Sequence, residues 1–308
     1  MDFEPDAHQT ALVDGLSQLL RHHVGIPASN RADRFFYDET LDAALAESGY
    51  FATARMEGFG ALEAALVLEQ IAKLPCVIEA GASLLVAPML LPPDIPRPIA
   101  LISGNLSLSQ RFLTVAKTAV IDLGGDDVAI LPLDSTMVEP VDSIFGYPYG
   151  HFINVPSLAT AQRLDAGAST VLRQYWRVAI AMETASAMQS ALDFTVTYVK
   201  DRHVFGRPIG SFQTVQHRLA KNAQIARNMR FLALKAAWSG DGVDANLAAA
   251  FAQKAIPKAC FDFHQFNGAM GMTTEHLLHL WTMRLRALQG ELGGVNGAAV
   301  AAAHAAWG

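Results

Sequence analysis

Residues 58–74, GFGALEAALVLEQIAKL, place apolar side chains at Leu62, Ala65, Leu66, Leu68 and Ile71 and interrupt them with Glu63, Gln70 and Lys73 at helical spacing. The pattern predicts an amphipathic helix with one broad apolar face and a polar strip. The chain up to about Pro88 reads the same way, as helices joined by short turns. Five prolines then fall within residues 88–98, where they remove backbone donors and block a continuing helix. A boundary is expected there.

From residue 99 to about 164 the pattern changes to short apolar runs, TAVIDL, DVAILPL and HFINVP, separated by turn sequences such as GGDD and FGYPYG. These predict a small β unit. Helical periodicity returns after Asp165, and residues 166–200 contain no proline and no glycine after Gly167. At 1.5 Å per residue such a segment makes a rod of about 50 Å, and a rod of that length needs neighbours for its apolar faces. TVQHRLAKNAQIARNMRFLALKAAW, residues 245–263 and TEHLLHLWTMRLRALQGEL supply them, predicting an antiparallel bundle of four helices. Only the tail, GAAVAAAHAAWG, approaches low complexity. The expected fold is mainly α with a small β domain: helices over 1–92, a β unit over 93–165 and a helical bundle over 166–308.

Composition narrows the function classes. Of 308 residues 51% are hydrophobic and 17% charged, which fits a packed core and excludes a long disordered segment. A net charge of −6 with no run of lysine or arginine argues against nucleic acid and against an anionic membrane surface. Cys76 and Cys260 stand far apart, outside any CxxC or Cys/His cluster, so neither a disulfide framework nor a metal site is expected. The N-terminus opens on acidic residues without an uninterrupted apolar core, and no uncharged run is long enough to span a bilayer. A soluble cytoplasmic protein is expected.

The most distinctive stretch is DRHVFGRPIGSFQTVQHRLA, residues 201–220, which sets Arg202 and Arg207 around a glycine turn and follows them with Gln213, Gln216 and His217. It resembles the RxxFGxxIxxFQxxQHxLA segment of the acyl-CoA dehydrogenase family. QFNGAMGMTTEH, residues 265–276, resembles that family's QxxGGxGxxxEH segment, and LHLWTMRLRAL resembles the helix that follows it. The resemblance is tight over residues 172–294, looser over 38–75 and weak between. It implies N-terminal helices, a reduced β middle domain, a C-terminal four-helix bundle, and FAD shared across a subunit interface. In that arrangement one subunit's bundle holds the pyrophosphate and adenosine end of a flavin whose ring sits mainly in its neighbour. Matched position by position, Arg202, Phe205 and Gln213 reach that FAD from the first motif, and Gln265 and Gly268 from the second. The chemistry agrees, because arginine offers phosphate a permanently charged fork and glycine admits close backbone approach. Outside the motif, Arg202 would read as a cation at a helix C-terminus, Gln213, Gln216 and His217 as a solvated face, Phe205 and Phe212 as core, and His276 and His279 as packing or surface residues. Ala269 stands where the family has its second glycine.

Two features of the family are missing. Its TEPxxGSD and NGxKxxI segments, which hold the flavin ring and part of the acyl chain, have no counterpart; residues 100–123 stand in their place. In one branch the catalytic glutamate immediately precedes an arginine early in the long helix, a position held here by Trp176 before Arg177. In another it lies in a YEGT segment that falls on ELGG, with Leu292 at the carboxylate position and Glu291 one residue away. One residue on a helix turns a side chain by about 100°, so Glu291 is expected to point away as a solvated glutamate. The resemblance therefore implies a subunit that completes a partner's FAD site and supplies no base, similar to subunits of heteromeric (heterotetrameric) acyl-CoA dehydrogenases of bacterial steroid side-chain degradation. A full-length relative would contribute the ring pocket, the base and most acyl-CoA contacts, with electrons passing to an electron-transfer flavoprotein. The alternatives are a self-sufficient homo-oligomeric dehydrogenase using Glu291 or another acid not recognised in the sequence, and a flavin-free scaffold or assembly protein.

Overall fold

A computed structural model of the chain describes residues 4–22, 25–159 and 161–307, so the first three residues of the acidic N-terminus lie outside the described residues. Helix α1 (Ala7–Arg21) begins at a capping box, in which the Asp6 carboxylate accepts the Gln9 N–H at 2.8 Å and the Gln9 side chain accepts the Asp6 N–H at 3.1 Å. Helix α2 (Glu39–Glu47) is capped by Asp38, which accepts the Leu41 N–H at 2.9 Å. Helix α3 (Ala61–Ala72) lies against α1, and its polar strip is not left wholly to solvent. Glu63 is buried, accepting the Gly60 N–H at 2.8 Å and the Gln9 amide at 2.7 Å, and Glu69 is buried too. The reason is tertiary: α3 is covered on several sides, so its polar residues meet protein partners rather than water.

A π-helical turn (Ala82–Val86) leads into the single-turn helix α4 (Ala87–Leu90), where Pro88 sits in the first turn and needs no N–H partner. Buried Glu79 ties this segment to the strand that follows. It accepts the N–H groups of Ala82 at 3.0 Å, Ser83 at 3.2 Å and Ile99 at 3.0 Å.

The β region holds β1 (Ile99–Ser103), β2 (Gln110–Arg111), β3 (Thr118–Asp122), β4 (Val128–Pro132), β5 (Val138–Pro140), β6 (Tyr149–Phe152) and β7 (Gln162–Arg163). One sheet has the order β1-β3-β4-β7, with β1 and β3 parallel and the remaining pairs antiparallel; the other has the order β2-β6-β5. Strand β3 is buried throughout and does not alternate, because both faces are covered. Val120, Val128 and Ile130 pack on Leu172, Trp176 and Ile180 of the following helix, while Ala119, Ile121 and Ala129 pack on Leu113 and Phe152.

That helix, α5 (Ala168–Asp201), has 34 residues and is about 51 Å long at 1.5 Å per residue. A short hairpin, β8 (His203–Val204) and β9 (Arg207–Pro208), links it to α6 (Gln213–Ser239), which is followed by α7 (Gly242–Asn267) and α8 (His279–Leu288). The alanine-rich tail is a further helix, α9 (Gly294–Trp307), whose Ala298 and Ala302 are buried where it lies along α7. Leu16, Leu41, Leu68 and Leu84 share one core with Met182, Met229, Ile256 and Leu285, so the N-terminal helices and the bundle are packed as one body. Buried Arg284 fastens them: its guanidinium donates to the carbonyls of Leu74 at 2.7 Å, Cys76 at 3.3 Å and Leu280 at 2.7 Å. Trp281 adds a bond to Lys73 O at 3.1 Å.

Candidate functional site

The antiparallel run of α5, α6 and α7 brings the five residues of the two motifs to one end of the bundle. Arg202 follows the last turn of α5, Gln213 is the first residue of α6, and Gln265 and Gly268 stand at the end of α7. Asp262, buried on α7, locks this end by accepting from Arg218 and Asn222 of α6 and from Lys258. Asn267 closes the other side, donating to Thr195 Oγ1 of α5 at 3.0 Å. Burial opposes ionisation of Asp262, but the Arg218, Lys258 and Asn222 hydrogen bonds outweigh it and hold the carboxyl below its usual range.

All five motif residues are exposed. Among the described residues the Arg202 side chain has no hydrogen-bond or ion-pair partner, while its N–H bonds to Tyr198 O at 2.9 Å and its carbonyl accepts the Ile209 N–H at 2.8 Å. The backbone is thus fixed and the guanidinium uncommitted. Phe205 is not a core residue: it is 91% exposed and has φ 55, next to Gly206 at φ 77, so the pair forms the centre of a two-residue hairpin turn that requires positive φ at both positions. A large apolar side chain held in the left-handed region and presented to solvent points to a surface made for contact. Met272 at 75%, Phe261 at 58% and Met270 at 44% exposure extend apolar surface from the end of α7 into the loop beyond it. Gly268 has φ 60 and ψ −147, which only glycine adopts readily, and Ala269 is exposed beside it.

The neighbouring motif residues have structural roles. Phe212 is half-buried and carries the Arg207 guanidinium 4.0 Å from its ring centroid, and the Gln216 amide donates to Gly210 O at 3.0 Å. His276 meets the rings of Phe194 and Tyr198 edge-on at 4.8 and 5.3 Å, and buried His279 bonds to Asp33 O at 2.8 Å. A guanidinium, two amides, a glycine turn and the uncapped N-terminus of α6 form a donor set that fits a pyrophosphate.

A second constellation lies toward the opposite end of α5, about 39 Å from Arg202 along the helix at 1.5 Å per residue. Arg111 of β2 donates to Glu183 Oε2 at 2.7 Å, and its Nε stands 2.5 Å from Glu291 Oε1. The Trp176 indole N–H donates to Glu291 Oε2 at 2.9 Å. Side-chain exposure is 11% for Arg111, 6% for Glu183 and 13% for Glu291, so one guanidinium holds two carboxylates away from water. Burial pushes the Glu183 carboxyl above its usual range; Arg111 opposes this and Glu291 adds to it. The two carboxylates keep Arg111 charged despite its burial.

Glu291 is therefore not a solvated glutamate. Residues Glu291–Gly293 form a 3-10 turn with Leu292 at φ 51 and ψ 38, so the helical rotation between neighbouring side chains does not apply. Gln253 fixes this turn through bonds from its amide to Leu288 O and Glu291 O, both at 2.9 Å. Glu291 turns inward and Leu292 packs beside Trp176. A cavity of about 350 Å³ opens beside them, lined by Leu101, Gln110, Tyr149, Trp176, Glu291 and Leu292 among others. Arg111 and Glu183 were not anticipated, although Glu183 is the single charged residue between Arg177 and Asp193 in α5, which is a legible signal. Among the described residues no group of three or more His, Cys, Asp or Glu could hold a metal ion, and no helix is long and apolar enough to cross a membrane.

Residues 170–297 match the family model described as acyl-CoA dehydrogenase, C-terminal domain. The chain is 32% identical over 222 residues to acyl-CoA dehydrogenase FadE34 of Mycobacterium tuberculosis, a match covering 63% of this chain and 30% of that protein. It is 27% identical over 190 residues to acyl-CoA dehydrogenase IpdE2 of Mycolicibacterium smegmatis, covering 59% of this chain and 57% of the relative. The chain thus spans less than two thirds of either. Its fold matches a chain of the ChsE4-ChsE5 complex from Mycobacterium tuberculosis with a TM-score of 0.75, at 18% identity and 97% coverage of both chains.

Proposed function

We propose that the chain, whose residues 170–297 match the C-terminal domain of acyl-CoA dehydrogenases, belongs to that family and serves there as a subunit that completes a partner's interfacial FAD site without supplying the catalytic base. The observation that carries this reading is the separation of the two constellations. The exposed donors around Arg202 lie about 39 Å along α5 from Trp176 and Glu291, farther than one extended dinucleotide reaches, so a flavin held at the Arg202 end cannot have its ring beside Glu291 of the same chain. The Arg202 end faces outward, toward a neighbour.

Arg202 would hold the pyrophosphate with its charge and fork, Gln213 and Gln265 would offer amide hydrogen bonds, Gly268 would admit the adenosine end closely, and Phe205 would supply apolar contact. FAD, when bound, accepts the hydride that leaves the β-carbon of an acyl-CoA thioester as a carboxylate takes the α-proton. Within this chain that carboxylate is not free. Trp176 has no proton-accepting atom, and Glu291 already accepts hydrogen bonds from Arg111 and Trp176, with Glu183 on the far side of the same guanidinium. A full-length family member would provide the ring pocket, the base and most thioester contacts, and the complex would desaturate an acyl-CoA at its α,β-bond and pass electrons to an electron-transfer flavoprotein. The ChsE4-ChsE5 complex, one chain of which shares this fold, supports a hetero-oligomer. Steroid side chains are the substrate class that the sequence resemblance suggests.

A second reading is favoured by one observation, the cavity beside the inward-turned Glu291: a self-sufficient homo-oligomer using that carboxylate. Purification with and without a full-length relative separates the two. The expected result is a colourless chain alone and stoichiometric FAD in the complex; a yellow, active protein purified alone overturns the proposal.

A further inference from the structure

We infer that the cleft between the 3-10 turn after α2 (Tyr50–Arg55) and the proline-rich segment leading into β1 binds a small organic monocarboxylate. The cleft has a volume of about 180 Å³ and is lined by Phe51, Arg55, Pro92, Pro93, Ile95 and Ile99 together with Arg97, Ser83 and small residues. It shares no lining residue with the cavity beside Glu291 and does not depend on the flavin reading.

The volume and the walls set the body of the ligand. A dry apolar cavity of about 150 Å³ admits benzene, so this cleft takes one ring or a chain of similar size. Pro92 and Pro93 offer no backbone N–H. The carbonyls of Ala46, Gly49 and Pro92 already accept the N–H groups of Gly49, Ala52 and Ile95 at 3.0, 3.0 and 3.4 Å. The backbone therefore leaves little for a polar ligand to bond.

Three polar side chains line the cleft, and only Arg55 carries an uncompensated charge. Ser83 Oγ donates to Glu79 Oε2 at 2.5 Å and accepts Arg97 Nε at 3.0 Å. Arg97 grips Asp42 through two bonds of 3.1 and 3.0 Å, donates to Glu79 O at 2.7 Å and lies 3.3 Å over the Phe51 ring, so it is a neutralised part of the wall. Arg55 differs. Its Nη2 donates to Ala87 O at 2.8 Å and Leu91 O at 2.6 Å, which fixes the guanidinium at the end of α4 and leaves about three of its five N–H donors free. Among the described residues it has no carboxylate partner. One anchored, unpaired cation beside satisfied apolar walls matches one negative charge on a compact apolar body. Inorganic phosphate brings nearly two charges and no apolar surface, an amine is repelled, and a neutral ring leaves the guanidinium unanswered. A carboxylate on a ring or short chain answers both parts of the cleft.

The test is an amide NMR titration of the full chain with benzoate, benzamide and inorganic phosphate at neutral pH and equal ionic strength, read at residues 46–55 and 95–99. Benzoate should bind saturably, at least about tenfold more tightly than its neutral isostere benzamide and than phosphate. Arg55→Gln should weaken benzoate by about tenfold or more and leave benzamide within about twofold, which separates loss of charge from loss of the cleft. Ala52→Trp, at an exposed position on the rim, should fill the cleft and abolish binding of both rings while the chain stays folded. Absence of saturable benzoate binding, equal affinity for benzamide or phosphate, or benzoate binding unchanged in Arg55→Gln or in Ala52→Trp overturns the inference.

Discussion

Trp176 and Glu291, 115 residues apart in sequence, are joined by a hydrogen bond of 2.9 Å from the indole N–H to a carboxylate oxygen. The resemblance matches each to, or beside, a position where a branch of the acyl-CoA dehydrogenase family keeps its base, and the fold brings the two positions together in this chain. Arg111 holds the same carboxylate. Glu291→Gln should therefore change the single-turnover rate of flavin reduction in the assembled complex by no more than about threefold, while weakening the ion cluster by about 1–3 kcal/mol and lowering Tm. Rapid-mixing absorbance and thermal unfolding read the two effects separately. A thousandfold loss with FAD and substrate still bound would identify Glu291 as the base.

Arg202→Ala should weaken FAD retention in the complex by about ten- to a hundredfold, since charge-assisted bonds to phosphate contribute about 1.5–3 kcal/mol. Gln213→Ala should cost less, because a neutral hydrogen bond is worth about 1 kcal/mol. Both side chains are exposed, so unfolding of the chain alone should be unchanged. Flavin fluorescence during dilution measures retention; full retention in both variants would make the motif a structural remnant.

Phe205→Gly should have opposite effects on the chain and on its assembly. Removing a non-glycine residue from φ 55 relieves roughly 1 kcal/mol of backbone strain, which should raise Tm of the isolated chain. Loss of the exposed ring should weaken association with the partner, measurable by analytical ultracentrifugation. Unchanged association would remove Phe205 from the interface.

Asp262 links acid stability to the Arg202 end of the bundle. Its carboxyl is held below the usual range, so its contribution is present above the ordinary aspartate pKa and is lost as pH falls through the lowered value. Asp262→Asn should cost about 1–3 kcal/mol near neutral pH, through Arg218 and Asn222 more than through exposed Lys258, and the difference from the parent should shrink below about pH 4. Denaturant midpoints across pH test this.

Arg284→Ala should be among the most destabilising changes at a site remote from any ligand. It leaves the buried carbonyls of Leu74, Cys76 and Leu280 without their donor, a loss of about 3 kcal/mol or more. Arg284→Lys should not restore it, because one ammonium cannot replace a planar fork reaching three carbonyls. Thermal unfolding decides; a Lys variant as stable as the parent would show that charge alone suffices.

Much of the architecture is legible in the chain itself. The run without proline over residues 166–200 determined a long α5, because nothing local interrupts its hydrogen bonds, and the apolar runs TAVIDL and DVAILPL determined β3 and β4. Arg202, Gln213, Gln265 and Gly268 were readable as candidates because a motif is local and its spacing survives in sequence. Only the tertiary structure decided what depends on distant neighbours. Glu63 belongs to the polar strip read from the sequence, yet it and Glu69 are both buried because α3 is covered by other helices. Glu291 faces inward because Leu292 takes a left-handed conformation that breaks the helical relation between neighbours. Arg111, Glu183 and Glu291 lie 72 and 108 residues apart along the chain, and a guanidinium selects its carboxylates by position in space.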